Sequence, residues 1–576
     1  MSTRWLVEPA DPDLEREVAR ALHISPLLAR ILIHRGVDSS SSAERFLNAR
    51  LTDLEEPERI PGMEAAADRI ERAVRERERV LIFGDYDVDG LCSTALLRRL
   101  LRRFGLSPKH YIPHRIEDGY GLNRHALEEI ARTDTDLVVT VDCGMDARLY
   151  RDVIEAAPYD LVVVDHHEPT EPVTSAQAVV NPKLQPERTG FRDFAGVGVV
   201  FHLAWALVRR LGLASQRDRE VEGLFAELLA LTALGTVADV APLLGENRIL
   251  TRLGLSALQH TELAGLRALL QSAGLTGQAV RAHDIAFRLG PRLNAAGRMG
   301  EADLALQLLI TDAPDEALEV CSRLEAHNRA RRALQEDIER QALDQLDKTG
   351  AERVLVVSQE GWSPGVIGIV AGRLASRFYR PALVVSTEGD FARGSARSIP
   401  GFHVLQALRE CADCLLEFGG HAQAAGFTLP TGRLKELRRR LNEEARGLPP
   451  ELWQPAVVVE AELPLAYLTR DVVAELERLE PLGEQNPEPV LATHGVEVGG
   501  DIRRLGSGGK HLSFYARQGG GALRVIGFGL GERAGELAAL GGPLSIAYTP
   551  TLSTFRSSPP EVELKLCDFR PTPAGN

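Results

Sequence analysis

The sequence predicts an α/β protein: a parallel-sheet domain, joined by a long helix to a second α/β domain, with a small β-barrel after it. Short β-branched apolar runs alternate with helix-length amphipathic segments from residue 79, and helical periodicity continues without Gly or Pro from 315 to 347. Beyond about residue 450, short strand-like stretches are separated by Gly turns. Apolar strands that alternate with helices are typical of a parallel sheet covered on both faces. Because 576 residues exceed one hydrophobic core, we expect several domains.

The N-terminal region, residues 1–70, alternates helical patterns with polar breaks and is predicted to form a helical cap. Its first residues contain no basic segment followed by an apolar one, which a secretion signal requires. No apolar run approaches the roughly 18 residues of a membrane span, and 44% of the residues are hydrophobic and 26% charged. We therefore expect a soluble, cytoplasmic protein with no membrane partner.

The first α/β domain is predicted over residues 71–310. Three apolar runs in it end in aspartate: RVLIFGD (79–85), DLVVTVD (136–142) and DLVVVDHH (160–167). In an open α/β sheet, the carboxyl ends of the parallel strands lie at one edge, where such proteins place their sites. These acidic groups are therefore expected to converge.

A connecting helix is predicted over 311–349, followed by a second α/β domain over 350–448. The last region, 449–576, contains stretches such as HLSFYARQGGGALRVIGFG, which are typical of strands joined by Gly turns in a small β-barrel. Cys411 and Cys414 form a C-x-x-C motif. No second pair stands at zinc spacing, which favours buried thiols over a metal site.

Carboxylates and imidazoles are crowded at the three predicted strand ends. Carboxylates held close together repel one another unless they share protons or surround a cation. Oxygen ligands with one or two imidazoles suit Mn²⁺ or Mg²⁺, and this number of acidic ligands indicates two ions about 3.5 to 4 Å apart, an arrangement that hydrolyses phosphoesters. The residues concerned are Asp85, Asp87, Asp89, Asp142, Asp165, His166 and His167.

Two other interpretations of these residues stay open at this point. DYDVDG resembles the start of a Ca²⁺-binding loop, although it lacks the downstream Glu and follows a buried strand. An isolated histidine is more often a hydrogen-bonded structural residue than a ligand. The position of both histidines directly after a strand-end Asp favours the metal site.

The net charge of −14 argues against a nucleic-acid partner, because a phosphate backbone binds mainly Lys and Arg. The charge is locally uneven, however. RRLLRRFGLSPKHYIPHR (98–115) contains no acidic residue, and RGSARS (393–398) combines two arginines, two serines and a glycine. Guanidinium groups beside glycine suit forked contacts with a phosphate, although an ordinary Gly-rich turn would also account for RGSARS.

Five motifs resemble, in order, those of the phosphoesterase family named DHH for its Asp-His-His triplet: GDYDVDG, VTVDCG, VVDHH, LGTVADV and, in the second domain, GGHAQAAG. Further stretches, among them IPHRIEDGYGL, RLGPRLNAAGRM and PLGEQNPEP, resemble the bacterial branch of single-strand-specific exonucleases. The likeness covers nearly the whole chain, and the last barrel looks like an OB-fold. Relatives that hydrolyse pyrophosphate or small nucleotides commonly have His where this chain has Phe83.

The resemblance implies a role for each motif residue. Asp142 would bridge the two ions, whereas Asp85 would bind metal directly or through water. His167 would contact the scissile phosphate, and Asp165 would orient the neighbouring ligands. The implied metal ligands are Asp85, Asp87, Asp89, Asp142, His166 and Asp239. The implied contacts to the strand and its 5′ phosphate are Arg115, Arg298, Ser395, Arg397 and His421.

By the same resemblance, we expect an exonuclease that removes mononucleotides from the 5′ end of single-stranded DNA by two-metal hydrolysis, with Mn²⁺ or Mg²⁺, in recombination and repair. A helicase and a single-strand DNA-binding protein are the implied partners. Two alternatives remain: an oligonucleotide or cyclic-dinucleotide phosphodiesterase of the same family, and a catalytically inactive DNA-binding scaffold. The cap and barrel disfavour the first, because such relatives are short. The presence of every implied ligand disfavours the second.

Overall fold

The chain separates into two compact units, Leu51–Trp453 and a smaller one made of Met1–Arg50 and Gln454–Asn576. The computed structural model describes residues 3–115, 119, 121–169, 173–185, 187–212, 219–349, 352–553 and 559–572. The N-terminal part of the smaller unit contains β1 (Arg4–Val7), α1 (Pro12–Leu22), α2 (Pro26–His34) and α3 (Ser40–Leu47).

The larger unit contains two sheets and most of the helices. Its helices are α4 (Met63–Glu76), α5 (Val88–Arg103), α6 (Arg124–Ala131), α7 (Arg151–Ala156), α8 (Gly196–Arg210), α9 (Arg219–Ala238), α10 (Gly245–Gln259), α11 (Ala264–Ser272), α12 (Ala282–Asp284), α13 (Gly290–Arg298), α14 (Ala302–Ile310), α15 (Pro314–Thr349), α16 (Pro364–Phe378), α17 (Val404–Glu410) and α18 (Leu434–Arg446). Its strands are β2 (Val80–Phe83), β3 (Lys109–Tyr111), β4 (Leu137–Val141), β5 (Asp160–Val164), β6 (Ala178–Val180), β7 (Leu355–Glu360), β8 (Ala382–Glu388), β9 (Phe391–Arg397), β10 (Glu417–Gly420) and β11 (Ala424–Pro430).

The first sheet of the larger unit has the order β3-β2-β4-β5-β6, and all its pairings are parallel. Every residue of β2 and β4 is buried, as expected for strands covered by helices on both faces. The predicted parallel sheet is thus confirmed, and the ends of β2, β4 and β5 lie side by side.

The second sheet has the order β10-β11-β9-β8-β7 and is mixed, because only β7 and β8 run parallel. Helix α15 is 36 residues long, which corresponds to roughly 54 Å at 1.5 Å per residue. Its first half contributes Val320 and Leu324 to the core around the parallel sheet. Its second half contributes Ile338 and Ala342 to a core with the second sheet. The predicted connecting helix therefore belongs to both lobes.

The smaller unit continues with β12 (Ala456–Val459), β13 (Ala461–Glu462), α19 (Arg470–Leu476), β14 (Leu491–Leu505), β15 (His511–Gln518), β16 (Gly521–Gly527), α20 (Ala534–Ala539), β17 (Leu544–Ser553) and β18 (Glu561–Pro571). Strands β14, β15, β16, β18 and β17 pair in that order, and β17 pairs again with β14. This closes a five-stranded barrel, as predicted. Strand β1 pairs with β12, so the N-terminal segment belongs to the barrel unit.

The predicted domain boundaries after residues 310, 349 and 448 fall between helices and strands. The predicted boundary after residue 70 falls inside α4, whose buried face packs in the core of the larger unit. We therefore propose that the N-terminal region ends near residue 50.

Helix α9 contains a stretch, Glu220–Ala238, that is long and apolar enough to cross a membrane, with a mean hydropathy of 1.6. Within the described structure, 61% of this stretch is buried. Leu228, Leu231 and Leu234 of α9 are fully buried in the core around the parallel sheet. Burial of this kind is what a core helix of a globular unit requires.

Candidate metal centre and phosphate site

Most of the acidic residues lie in the segments that follow strands of the parallel sheet. Asp87 caps α5 after β2, and its carboxylate accepts hydrogen bonds from the backbone N–H groups of Asp89 (3.0 Å) and Gly90 (3.1 Å). Asp142 follows β4 with a left-handed backbone, φ 61°. His166 lies just after β5, and Asp239 directly follows α9.

His166 lies at the centre of these acids. Its Nε2 atom is 3.2 Å from Asp142 Oδ1, 3.9 Å from Asp239 Oδ2 and 4.0 Å from Asp89 Oδ2. Among the described residues, three overlapping groups can be formed in which all ligand atoms lie within 4.8 Å of one another. They are Asp142, His166 and His167; Asp89, His166 and Asp239; and Asp85, Asp87 and Asp142. The structure thus brings together all six residues that were predicted as metal ligands.

Backbone groups hold two of these side chains in place. The buried Asp89 carboxylate accepts hydrogen bonds from Gly196 N at 2.7 Å and Val197 N at 2.9 Å, at the start of α8. His166 Nδ1 donates to the carbonyl oxygen of Phe194 at 2.8 Å. Because a carbonyl can only accept, Nδ1 carries the proton, and the Nε2 lone pair of the neutral ring faces the carboxylates.

Asp165 organises the loop after β5. Its carboxylate accepts hydrogen bonds from His167 Nδ1 at 2.8 Å, from His166 N at 2.7 Å and from Met145 N at 3.0 Å. Burial opposes ionisation of this carboxyl, but the hydrogen bond and charge of His167 outweigh it and lower the pKa of Asp165 to about 2. Burial likewise opposes the charge of His167, yet Asp165 raises the pKa of His167 to about 9.

The remaining acids are strained electrostatically. Burial and repulsion from Asp87 raise the pKa of Asp89 to about 7. Burial, Asp89 and Asp87 together raise the pKa of Asp239 to about 9. Burial and neighbouring carboxylates also raise the pKa values of Asp85 and Asp142. Each shift shows that an ionised carboxylate is unfavourable here without a positive charge nearby.

A divalent cation fits this set of donors. Among the residues that the structure describes, His166 Nε2 and Asp85 Oδ1 are buried without a hydrogen-bond partner. Burial lowers the pKa of His166 to about 3, so the imidazole is neutral and available as a ligand. Carboxylate oxygens with one imidazole suit Mn²⁺ and Mg²⁺. The site therefore has the charge, the donor types and the unused donor atoms of a centre for hard divalent ions.

The glycine of the LGTVADV motif is Gly235 of α9, and close packing accounts for the absence of a side chain there. A Cβ atom added there would lie 2.7 Å from Val197 Cγ1 and 2.9 Å from Asp89 Oδ1. We expect Gly235→Ala to push α9 away from Asp89, to cost about 1 to 3 kcal/mol of stability, and to raise the Mn²⁺ concentration needed for half-maximal nuclease activity. Urea unfolding and Mn²⁺ titrations check both effects.

Gly223→Ala is the matched control for this change, because Gly223 is exposed on the same helix and an added Cβ would meet no atom within 4 Å. Alanine is favoured over glycine in a helix, so a gain of up to about 1 kcal/mol is expected with an unchanged Mn²⁺ requirement. An unchanged Mn²⁺ requirement in Gly235→Ala would contradict the role given to this contact.

Arginines of both lobes form a second cluster. Arg397 Nη1 donates to Ser395 Oγ at 3.1 Å, and Arg298 Nη1 donates to the carbonyl oxygen of Gly365 at 3.0 Å. The Arg115 guanidinium lies 4.7 Å from the centre of the Tyr86 ring. Burial and repulsion from neighbouring arginines, Arg115 foremost, lower the pKa of Arg298 to about 9. Burial and Arg115 also lower the pKa of Arg397.

The arginine cluster has the properties of an anion site. Within the described ranges, no carboxylate lies within ion-pair distance of Arg298 or Arg397. Partly buried guanidinium groups that repel one another are stabilised when an anion enters between them. The Arg115 guanidinium contacts Tyr86, the residue between Asp85 and Asp87, so this cluster borders the acidic centre.

The structure does not bring the His421 side chain into this arginine cluster. It lies in the hairpin between β10 and β11 and is exposed, and its backbone N–H donates to Ala424 O at 2.7 Å. In the part of the chain that the structure describes, its imidazole makes no hydrogen bond or ion pair. Its predicted contact with the strand stays a prediction.

Sequence motifs did not identify the backbone groups that orient the ligands, namely the N–H groups of Gly196 and Met145 and the carbonyl of Phe194. A weak signal exists in FAGVGVV (194–200), where glycine stands at the start of a helix. A glycine there avoids a close contact, since an added Cβ at Gly196 would lie 2.4 Å from Asp142 Oδ1.

The sequence and the fold of this chain are similar to those of known proteins. The family models described as DHH family, N-terminal domain, as DHHA1 domain and as RecJ OB domain match residues 79–236, 351–447 and 459–568. The single-stranded-DNA-specific exonuclease RecJ of Bacillus subtilis (strain 168) is 38% identical over 535 residues, which are 92% of this chain. The chain spans 66% of the length of that relative.

The corresponding exonuclease RecJ of Escherichia coli (strain K12) is 36% identical over 487 residues, covering 82% of this chain and 84% of the relative. Crystal structures of RecJ from Thermus thermophilus with Mn²⁺ and with Mg²⁺ match with TM-scores of 0.84 and 0.79, at 33% and 32% identity. Each covers 99% of this chain, which covers 80% and 79% of them. With matches to these three family models, similar sequences over most of both chains and the same fold, the chain belongs to the RecJ family of DHH proteins.

Proposed function

We propose that the protein is a metal-dependent exonuclease that releases mononucleotides from the 5′ end of single-stranded DNA. The observation that carries this proposal is the position of the arginine cluster beside the acidic centre, where the Arg115 guanidinium lies 4.7 Å from the ring centre of Tyr86, the residue between Asp85 and Asp87. A phosphodiester bound between them would have cations on one side and guanidinium groups on the other. The RecJ relatives are named single-stranded-DNA-specific exonucleases, which supports the substrate class.

The residues of the acidic centre divide the work of hydrolysis. Two divalent cations, when bound, would polarise the phosphoryl group and activate water for in-line attack. The six predicted ligands would hold these ions, and Asp142 belongs to two of the three ligand groups. The hydrogen bond and charge of Asp165 raise the pKa of His167 to about 9 and so favour its protonated form. His167 can therefore donate a hydrogen bond to a phosphate oxygen and stabilise the charge that develops there, while Asp165 fixes its ring.

The arginine cluster sets where the strand is cut. Arg397, Ser395 and Arg115 bind the terminal 5′ phosphate, because a fork of N–H donors beside a hydroxyl matches phosphate oxygens. The next phosphodiester along the strand then lies at the acidic centre. One nucleotide is released each time the new end moves into the pocket.

The barrel unit supports a single-stranded substrate. Tyr515 and Phe528 are 47% and 57% exposed, whereas Phe514 is buried in the core. Exposed aromatic rings on an OB-fold are stacking surfaces for unpaired bases. An enzyme restricted to single strands needs another protein to open a duplex, so we propose a helicase and a single-strand-binding protein as partners, with all three in the cytoplasm.

Digestion of end-labelled DNA tests this function. Single strands labelled at the 5′ end are expected to release labelled mononucleotide at once in Mn²⁺, whereas 3′-labelled strands release label only when digestion reaches the far end. A duplex with blunt ends should be resistant. Early release of the 3′ label would contradict the proposed polarity, and equal digestion of the duplex would contradict the substrate class.

A further inference from the structure

Arg331 lies in the middle of α15 and is 8% exposed. Its Nη2 atom donates to Asn328 Oδ1 at 2.9 Å, and its Nη1 atom donates to Gln335 Oε1 at 3.1 Å. Both partners are neutral amides on the same face of the helix, and each is 1% exposed. Among the described residues, the Nε atom of Arg331 has no hydrogen-bond partner.

The charge of Arg331 is not compensated. In the described part of the chain, no carboxylate lies within ion-pair distance of it, and its other charged neighbours, Arg332 and Arg373, are also positive. Arg69 is equally buried at 8% but pairs with Asp160 at 2.6 Å and with Glu78 at 2.7 Å. Since an uncompensated buried charge is strongly unfavourable, the surroundings of Arg331 are incomplete without an anion.

Arg331 also lines a cavity. The cavity has a volume of about 200 Å³, and its wall includes Arg298, Asn294 and Ala238, the residue before the predicted ligand Asp239. Pockets for drug-sized molecules measure roughly 300 to 1,000 Å³, so this cavity suits a small group rather than a whole nucleotide. The polar side chains in its wall are two guanidinium groups and one amide, all of which have N–H groups that can donate to an anion.

The basic groups extend beyond the pocket for the terminal phosphate. Arg298 lines the cavity together with Arg331, and Arg115, Arg331 and Arg397 all lie within electrostatic range of it. A single free phosphate could neutralise only part of this set. One strand carries a phosphate at every nucleotide, and it would neutralise the arginines of both places at once.

We propose that Arg331, held by Asn328 and Gln335, forms with Arg298 and Asn294 a second phosphate site, which binds an internal phosphodiester group of the DNA strand. This inference rests on the proposed function, since it takes a nucleic-acid strand as the ligand. The site would hold the strand on the far side of the scissile bond from the terminal-phosphate pocket.

Equilibrium binding in EDTA tests this site without cleavage. The probes are 5′-phosphorylated oligothymidylates of two and of eight nucleotides, together with thymidine monophosphate and inorganic phosphate. For Arg331→Gln we expect an affinity for the octanucleotide that is about tenfold lower, an unchanged affinity for the dinucleotide, and a slope of log K against log salt that is smaller by about 0.7. Arg332→Gln, which removes an exposed arginine of the same helix, is expected to retain the affinity for the octanucleotide.

Arg331→Lys serves as a second variant in case the glutamine variant does not fold. It retains the charge but loses the forked donors, and an intermediate loss of affinity is expected. Wild-type affinity and salt slope in a folded Arg331→Gln protein would overturn the proposal. So would a loss confined to thymidine monophosphate or inorganic phosphate, which would make the cavity a product site. A wild-type protein that binds the octanucleotide but never cleaves it in Mn²⁺ would contradict the proposed function alone.

Discussion

Asp142→Asn is expected to lower the rate of single-strand hydrolysis about 10³-fold or more, while the octanucleotide still binds in EDTA. Asp142 is 2% exposed and belongs to two of the three ligand groups, so its substitution removes a buried carboxylate from both of them. Loss of a single group that stabilises developing charge typically costs 10²- to 10³-fold, and Asp142 would serve both ions. Single-turnover digestion of a 5′-labelled strand at saturating Mn²⁺ measures the effect.

The same substitution is expected to change stability in opposite directions with and without metal. In EDTA, burial and the surrounding carboxylates raise the pKa of Asp142, so its ionised form destabilises the fold at neutral pH. Asparagine has the same shape without the charge, and the unfolding midpoint in EDTA should rise. In Mn²⁺ at 100 times its dissociation constant, the wild type should gain about 2.7 kcal/mol, and Asp142→Asn should gain much less.

Asp134→Asn is the control, because Asp134 lies exposed before β4, the strand that Asp142 follows. It should leave both the rate and the Mn²⁺-dependent stabilisation unchanged. If Asp142→Asn retained wild-type activity, or if Mn²⁺ stabilised both proteins equally, Asp142 would not be a metal ligand.

The part of the metal centre on the parallel sheet could be predicted, because the carboxyl ends of parallel strands always lie at the same edge of a sheet. Each of the runs that became β2, β4 and β5 ends in aspartate, and parallel strands bring such ends to one edge. The position of Asp239 could not be predicted in this way, because Asp239 follows a helix and not a strand of the sheet. It reaches His166 only because α9 packs against α8 through Gly235, a contact that depends on tertiary structure.

The sequence also does not predict which individual charged side chains are buried. Arg331 and Arg332 are adjacent on α15, yet one is buried and the other exposed. The hydrophobic pattern of α15 predicts a helix but not that two lobes pack on its two halves. Amide partners such as Asn328 and Gln335 have no recognisable spacing of their own, since polar residues at helical intervals usually face water.

Arg397→Gln is expected to abolish most of the preference for a 5′ phosphate over a 5′ hydroxyl. Arg397 lies beside Ser395 Oγ on β9, and Gly368 of α16 leaves space there, because an added Cβ would be 3.0 Å from Ser395 Oγ and 3.2 Å from Arg397 Nη2. Hydrogen bonds to a charged group contribute about 1.5 to 3 kcal/mol. We therefore expect kcat/KM for a 5′-phosphorylated strand to fall roughly 10- to 100-fold, with little change for a 5′-hydroxyl strand.

Two further variants separate the forked contact from simple charge. Arg397→Lys retains a positive charge but cannot form two parallel hydrogen bonds, so it should recover only part of the preference. Arg377→Gln removes an exposed arginine near the end of α16 and should leave the preference intact. If Arg397→Gln lowered kcat/KM equally for both kinds of 5′ end, Arg397 would bind the strand elsewhere than at its terminus. Release of mononucleotides would then need another explanation, because only a pocket for the terminal phosphate fixes the first phosphodiester at the metal centre.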